Sequence, residues 1–549
     1  MKVLLIDPPH SWYPAFEGVR APHVGLLHIG SFLKRLGHEV LILDAATEGL
    51  DWRALAQIFR DERPHVVGIS AKTFMAYSAM YTARLVKQIC PDATVVGGGY
   101  HFNSVPEEAL RMCGHLDFVV RGEGEQTMAA LVEGLDNGWD KTALAAVPGL
   151  SFLDGDRYVE TGNRPAMDIN SLAIPDYDLV PTRSYSLPFF GTGGRKGGML
   201  TTFARGCQFK CNYCSEPVLW GDSGLRQRSV KLMVDEIELL HREYGRTNFW
   251  FGDDQFTANR AHNIAFLDEL EKRQLPIKYY IESRANEIAR DADLLPRFRA
   301  TGCLWIMLGL ETPDPKKLRA WKKGHSIEQA IEACQAIKRN GIALQVMQIF
   351  GDWEDDKDTI HEIFRFTNFV NATVPTLLAS TPFPQTGTLA KGLENGAIRH
   401  IDYSMYDLAH ATMATKHLTV DEVHKYYNRL FKKYFGKVSH IIRHMSEPDL
   451  RVMYMVWIPS FTKAAVKGAL KGAARQLVTS LPQSDYQRYK ATLMGRQVAF
   501  YQRDPSWHPS LRAAGLLKRG EGRVRVDLAR SPPAAAPLGG AAPGIGMGG

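Results

Sequence analysis

Short, uninterrupted apolar runs separated by helical patterns constrain this chain more than any other feature. In the first part they are residues 2–7 (KVLLID), 39–44 (EVLILD), 65–70 (HVVGIS), 94–97 (TVVG) and 116–120 (LDFVV). Strands that are apolar throughout, rather than at alternate positions, belong to a parallel sheet covered by helices on both faces. Residues 1–135 are therefore expected to form a doubly wound, Rossmann-like α/β domain. Its ligand should lie beyond the carboxyl ends of the strands. Small and polar residues collect there: Asp7 to His10, then Ser70 and Lys72, then Gly97, Gly98 and Gly99, then Gly122, Glu123, Gly124 and Glu125. No G-x-G-x-x-G follows the first strand, which disfavours a dinucleotide. Glycines at the later strand ends let backbone approach a bulky flat or phosphate-bearing ligand.

After a linker over residues 136–197, rich in turn signals, the rhythm resumes. Runs at 199–204, 248–252, 277–282, 304–309, 343–349 and 376–380, with helical patterns between them, predict a barrel or partial barrel over residues 198–391. Such barrels carry their active groups on the loops after the strands. Those loops hold Cys207, Cys211 and Cys214; Asp253 and Asp254; Glu282 and Arg284; Glu311; and Asp352 and Glu354.

The three cysteines form a C-x3-C-x2-C run. Thiolates this close can converge on one metal centre, and no fourth cysteine or nearby histidine completes a tetrahedral set, so a coordination position is left open. A structural zinc site would want a second ligand pair roughly 12–20 residues away. Cys90, Cys113, Cys303 and Cys334 stand alone in apolar surroundings and read as core residues.

The C-x3-C-x2-C run, with an aromatic residue before its third cysteine, resembles the signature of the radical S-adenosylmethionine superfamily. Its fold is a partial (β/α)6 barrel. The preceding α/β domain, closed by Arg121-Gly122-Glu123-Gly124-Glu125, and Pro382 to Thr386 after the sixth strand resemble the branch with an N-terminal cobalamin-binding domain, related in layout to the anaerobic magnesium-protoporphyrin ester cyclase. The resemblance covers roughly residues 1–435. It implies that Cys207, Cys211 and Cys214 hold a [4Fe-4S] cluster whose open iron chelates S-adenosyl-L-methionine, and that residues 1–135 hold cobalamin. The D-x-H-x-x-G motif is absent, which implies cobalamin without a protein histidine on cobalt. It also implies that Tyr213 packs against adenine, that Asp253 and Asp254 meet the methionyl ammonium, and that Glu282, Arg284 and Glu311 reach ribose or carboxylate. The reaction implied first is methylation of an unactivated carbon of a small-molecule, lipid or pigment precursor. Oxidative cyclisation of a tetrapyrrole-like substrate without methyl transfer is the alternative. An electron donor such as flavodoxin or ferredoxin is expected as partner.

With seven unevenly spaced cysteines, an N-terminus that reads as a strand and no apolar run of about 18 residues, the chain is expected in a reducing, cytoplasmic compartment. The net charge of +7 is spread over 549 residues, which argues against a nucleic-acid partner. Residues 392–525 read as a helical region. In it Thr419 to Glu422 is a capping box opening an aromatic-faced helix to about Phe435. Lys463, Lys467, Lys471 and Arg475 line a basic segment that could touch an anionic membrane surface. The Pro/Ala/Gly-rich tail over 526–549 is too poor in bulky apolar groups to fold.

Overall fold

A computed structural model describes residues 1–10, 19–187, 197–398, 401–435 and 481–503. The N-terminal sheet begins with β1 (Lys2–Asp7), β2 (Glu39–Asp44), β3 (Val66–Ser70), β4 (Thr94–Gly98) and β5 (Phe118–Val120), all parallel. Their apolar side chains are buried on both faces: every residue of β3 is buried, with Val66 and Val67 at 0% exposure. Helices from either side supply the cover.

The segment 136–197, expected as a linker, adds to this sheet. Its strands β6 (Leu150–Asp154) and β7 (Arg157–Glu160) form a hairpin, and β6 runs antiparallel to β5, pairing Phe152 with Phe118. The order becomes β2-β1-β3-β4-β5-β6-β7. Asp154-Gly155-Asp156 spans the hairpin turn, with Gly155 at φ 59°. Asp-Gly flanked by apolar residues signals a hairpin as readily as an open loop.

The second sheet contains β8 (Gly198–Thr201), then, after the ribbon of β9 (Ala204–Arg205) and β10 (Arg226–Gln227), β11 (Asn248–Phe251), β12 (Lys278–Arg284), β13 (Cys303–Glu311), β14 (Ala343–Phe350) and β15 (Val374–Ala379). The order β15-β14-β13-β12-β11-β8 is parallel throughout and follows the chain, the arrangement of a partial barrel. Trp250, Tyr280 and Trp305 fill its interior, with ring centroids 5.4 and 5.7 Å apart.

The Thr419 capping box is present: Glu422 N–H donates to Thr419 Oγ1 (3.3 Å) and Thr419 N–H to Glu422 Oε2 (2.9 Å). The helix it opens, Val420–Phe435, packs on the barrel through Leu430 and through Tyr427, stacked 5.2 Å from Phe350. The helix Leu481–Arg503 instead covers the first domain, where Tyr486 stacks 4.5 Å from Trp52. The basic stretch from Lys463 to Arg475 and the tail over 526–549 lie outside the described residues. Among the described residues no helix is long and apolar enough to cross a membrane.

Candidate active site

The cysteine loop is shaped before its first cysteine. Asp253, just beyond β11, accepts the backbone N–H groups of Phe203 and Ala204 through Oδ1, both at 2.7 Å. Burial pushes its carboxyl up to about 7 even against these two bonds. The β9–β10 ribbon then closes the base of the loop. At φ 84°, Gly206 sits where a Cβ would collide with the Gly224 carbonyl oxygen, so only glycine fits.

Cys207, Cys211 and Cys214 all line one cavity of about 260 Å³. Phe209 N–H points at Cys207 Sγ and Glu216 N–H at Cys214 Sγ, each at 3.4 Å, the hydrogen bonding that thiolate ligands use. Burial pushes the Cys207 and Cys214 thiols up from their ordinary value. Among the described residues no three metal-ligating side chains converge tightly enough for a single ion. Three separated thiols around one cavity, with no fourth cysteine and no histidine among its described lining residues, suit a cluster with an open iron.

The same cavity collects Tyr213, Asp254, Glu282, Arg284 and Glu311. Arg284, 4% exposed, sits 3.5 Å over the Phe209 ring with Nη1 3.9 Å from Cys211 Sγ; its Nε and Nη2 have no partner. An unpaired buried guanidinium is costly, and a bound carboxylate would satisfy it. Glu311 is paired with Lys323 (2.7 Å), and Tyr213 turns its ring edge to Trp321 at 5.3 Å. Glu282 accepts Trp250 Nε1–H at 2.9 Å, and burial raises its carboxyl to about 7. Asp253 departs from the expectation: it is spent on the loop backbone and does not line this cavity. Asp352 and Glu354 also lie outside it, facing Lys391 and Lys416 at 3.9 and 4.0 Å.

A second cavity, about 440 Å³, opens between the carboxyl end of the N-terminal sheet and the barrel. Ser70, Gly97 to Gly99 and Gly122 to Glu125 all line it. Cβ atoms added at Gly98 or Gly122 would enter open space, and Gly99, at φ 83°, would place one 2.6 Å from Ser70 Oγ. Side chains at Gly98 and Gly122 would thus enter the open crevice, whereas those at Gly97, Gly99 and Gly124 would meet protein atoms; the open space at the first two fits a bulky cofactor. Glu123 and Glu125 line the cavity but direct their carboxylates to Arg205 across the domain boundary. His10, His23 and His28 also line it, and burial lowers all three, His23 to about 4 and His28 to about 3, leaving them neutral.

Glu216, Asp254, Gln255 and Glu282 line both cavities. Burial, then the neighbouring Glu216 and Glu282, push the Asp254 carboxyl well above its usual range. Gln255 is 2% exposed with neither amide atom bonded. No local pattern distinguishes Glu216, Gln255, Lys323 or Trp250 in the sequence; they become site residues only when the strands assemble.

Two family matches coincide with the two cavities. Residues 18–132 match the B12 binding domain and residues 201–366 the Radical SAM superfamily. The anaerobic magnesium-protoporphyrin IX monomethyl ester cyclase of Rubrivivax gelatinosus is 31% identical over 70% of this chain and 68% of that one. The chain belongs to the cobalamin-binding radical S-adenosylmethionine family. It is also 28% identical to the uncharacterized methyltransferase PH0819 of Pyrococcus horikoshii, over 81% of this chain and 95% of that one. The fold matches that of the cobalamin-dependent S-adenosylmethionine radical enzyme OxsB, solved with aqua-cobalamin and S-adenosylmethionine bound, at a TM-score of 0.65 and 15% identity, over 94% of this chain and 81% of that one. The chain is thus a radical S-adenosylmethionine enzyme whose cofactors are a [4Fe-4S] cluster, S-adenosylmethionine and cobalamin.

Proposed function

We propose that this enzyme methylates an unactivated carbon of a small-molecule, lipid or pigment precursor. The observation that carries this reading is the wall of Glu216, Asp254, Gln255 and Glu282 shared by the two cavities. A substrate held against that wall would face the cluster cavity on one side and the cobalamin crevice on the other. When bound, the cofactors supply reductive cleavage of S-adenosylmethionine and delivery of a methyl group.

The protein's own residues bind, orient and exclude water. Arg284 pairs with the methionyl carboxylate and Asp254 receives the ammonium. Tyr213 packs on adenine. Glu311, held by Lys323, takes the ribose hydroxyls. Cys207, Cys211 and Cys214 hold the cluster. The crevice of Ser70, Gly97, Gly98, Gly99, Gly122, Glu123, Gly124 and Glu125 holds cobalamin with no protein histidine on cobalt, a reading supported by the absence of a D-x-H-x-x-G motif from the sequence. A flavodoxin or ferredoxin supplies the electron.

The test is product stoichiometry in the reconstituted enzyme with substrate. Methylation predicts 5′-deoxyadenosine and S-adenosylhomocysteine in equal amounts, with deuterium from labelled S-adenosylmethionine appearing in the product. The 31% identity to the cyclase favours a second reading, radical cyclisation. Substrate-dependent 5′-deoxyadenosine without S-adenosylhomocysteine or product label would reject methylation and select cyclisation.

A further inference from the structure

The cysteine loop is held at both ends by the segments that form the cobalamin crevice. On its N-terminal side, Arg205 stands two positions before Cys207. Arg205 Nη1 donates to Glu123 Oε2 at 3.0 Å and Glu125 Oε2 at 3.2 Å, and Nη2 bonds Glu125 Oε1. Glu123 Oε1 also forms an ion pair with Arg226 Nη2 at 2.6 Å, without hydrogen-bond alignment, so one carboxylate grips both strands of the ribbon that closes the loop.

On the C-terminal side, Tyr100, directly after the Gly97 to Gly99 run, donates its hydroxyl to Glu216 Oε1. Glu216 in turn donates its backbone N–H to Cys214 Sγ. Asn103 accepts Gly122 N–H at 2.8 Å and donates to the Val218 carbonyl at 3.3 Å, tying the crevice glycine to the short helix after the cysteines. Tyr100, Gly122, Glu123 and Glu125 all line the crevice.

We propose that Tyr100, Glu123 and Glu125 are positioning residues for the cluster loop, and that through them occupancy of the cobalamin crevice and of the cluster site are thermodynamically coupled. The Arg205–Glu125 pair is desolvated, with side chains 14% and 3% exposed, so a shift of the Gly122–Glu125 segment cannot leave Arg205 behind without stranding a buried charge. Ordering of the crevice by cobalamin therefore orders both ends of the cysteine loop. By linkage, a formed cluster tightens cobalamin binding by the same factor. This inference uses the two cofactors and is independent of whether the product is methylated or cyclised.

The measurement is the dissociation constant of hydroxocobalamin for the full-length chain, by equilibrium dialysis, in its cluster-loaded form and after iron is stripped with a chelator. In the wild type the cluster-loaded form should bind at least about fivefold tighter, the low end of ordinary coupling. Glu125→Gln and Tyr100→Phe should bring the ratio to within about twofold, while Arg205→Lys, which keeps the charge, should retain part of it. Tyr100→Phe removes only a hydroxyl, so it keeps the test decisive if Glu125→Gln fails to fold. The paramagnetic resonance of the reduced cluster gives a second readout: its g values should move when hydroxocobalamin is added to wild type and stay fixed in Tyr100→Phe, a response that a merely stabilising interface would not lose. A wild-type ratio within about twofold, or a larger ratio untouched by both variants, overturns the proposal.

Discussion

Arg205 Nη1 lies 3.0 Å from Glu123 Oε2, a bond between the barrel domain, just before the first cluster cysteine, and a glycine loop of the N-terminal sheet. It places the carboxyl ends of the two sheets face to face. Each domain presents its ligand cavity at that end, and Glu123 lines the second of them.

Replacing Cys207, Cys211 or Cys214 by Ala should take reconstituted iron from about four per chain to well below it, and abolish 5′-deoxyadenosine formation, because two thiolates hold a cubane poorly. Iron and sulfide assays after anaerobic reconstitution give the result; zinc in stoichiometric amount in the wild type would instead revive a structural zinc site.

Gly98→Leu should weaken hydroxocobalamin binding about tenfold or more while leaving iron content unchanged. The added side chain enters the crevice, where nothing lies within 4 Å of the new Cβ, and Gly98 has ordinary backbone angles. Gly122→Leu blocks the same space and adds strain of about 1–2 kcal/mol at its positive φ. The Gly98 variant therefore isolates the steric effect in a dialysis measurement.

Asp253→Ala should reduce iron retention and lower the melting temperature, since it strands the buried N–H of Phe203, at about 1–3 kcal/mol, and the partly buried N–H of Ala204. Asp253→Asn keeps an acceptor oxygen and should hold most of its iron. Equal iron loss in both variants would mean that the charge, rather than the backbone bonds, matters.

Arg284→Gln should weaken S-adenosylmethionine binding about 10- to 100-fold, or about 1.4–2.7 kcal/mol, with cluster content retained. Arg284→Lys should rescue only part of it, since an ammonium cannot reproduce a bidentate grip or the stacking on Phe209. Calorimetric titration with S-adenosylmethionine under anaerobic conditions separates these cases.

Glu282 carries a pH signature. Burial holds its carboxyl protonated up to about 7, whereas in the unfolded chain it ionises near its ordinary 4.5. Between those values the unfolded state binds fewer protons, so the wild-type fold loses stability as pH rises through that window, by up to about 3 kcal/mol, and levels off above it. In the cofactor-free protein the melting temperature of Glu282→Gln should therefore gain on wild type between pH 5 and 7.5. A difference independent of pH would show that Glu282 ionises normally. Trp250→Phe, which removes the bond favouring the ionised form, should push the levelling point higher.

Spacing along the chain determined what is local. Uninterrupted apolar runs specify parallel strands because both faces must be covered, and the C-x3-C-x2-C run specifies a metal loop because three thiols so close along the chain can reach one centre. The glycines at the strand ends were legible for the same reason, each standing at a turn its own strand defines. Tertiary structure decided which charges face which. Asp253 and Asp254 are adjacent and chemically alike, yet Asp253 accepts the Phe203 and Ala204 backbone and lines only the second cavity while Asp254 lines both, because neighbouring side chains diverge where a strand ends. Glu123 and Glu125 read as cofactor contacts from their place on the crevice loop, and only the docking of the barrel supplies the Arg205 partner 80 residues beyond Glu125. Lys323 and Trp250 left no trace in any short window, since their partners Glu311 and Glu282 come from other strands or loops. Local periodicity encodes strands and loops; the pairing of buried charges is settled by which strand ends the sheets bring together.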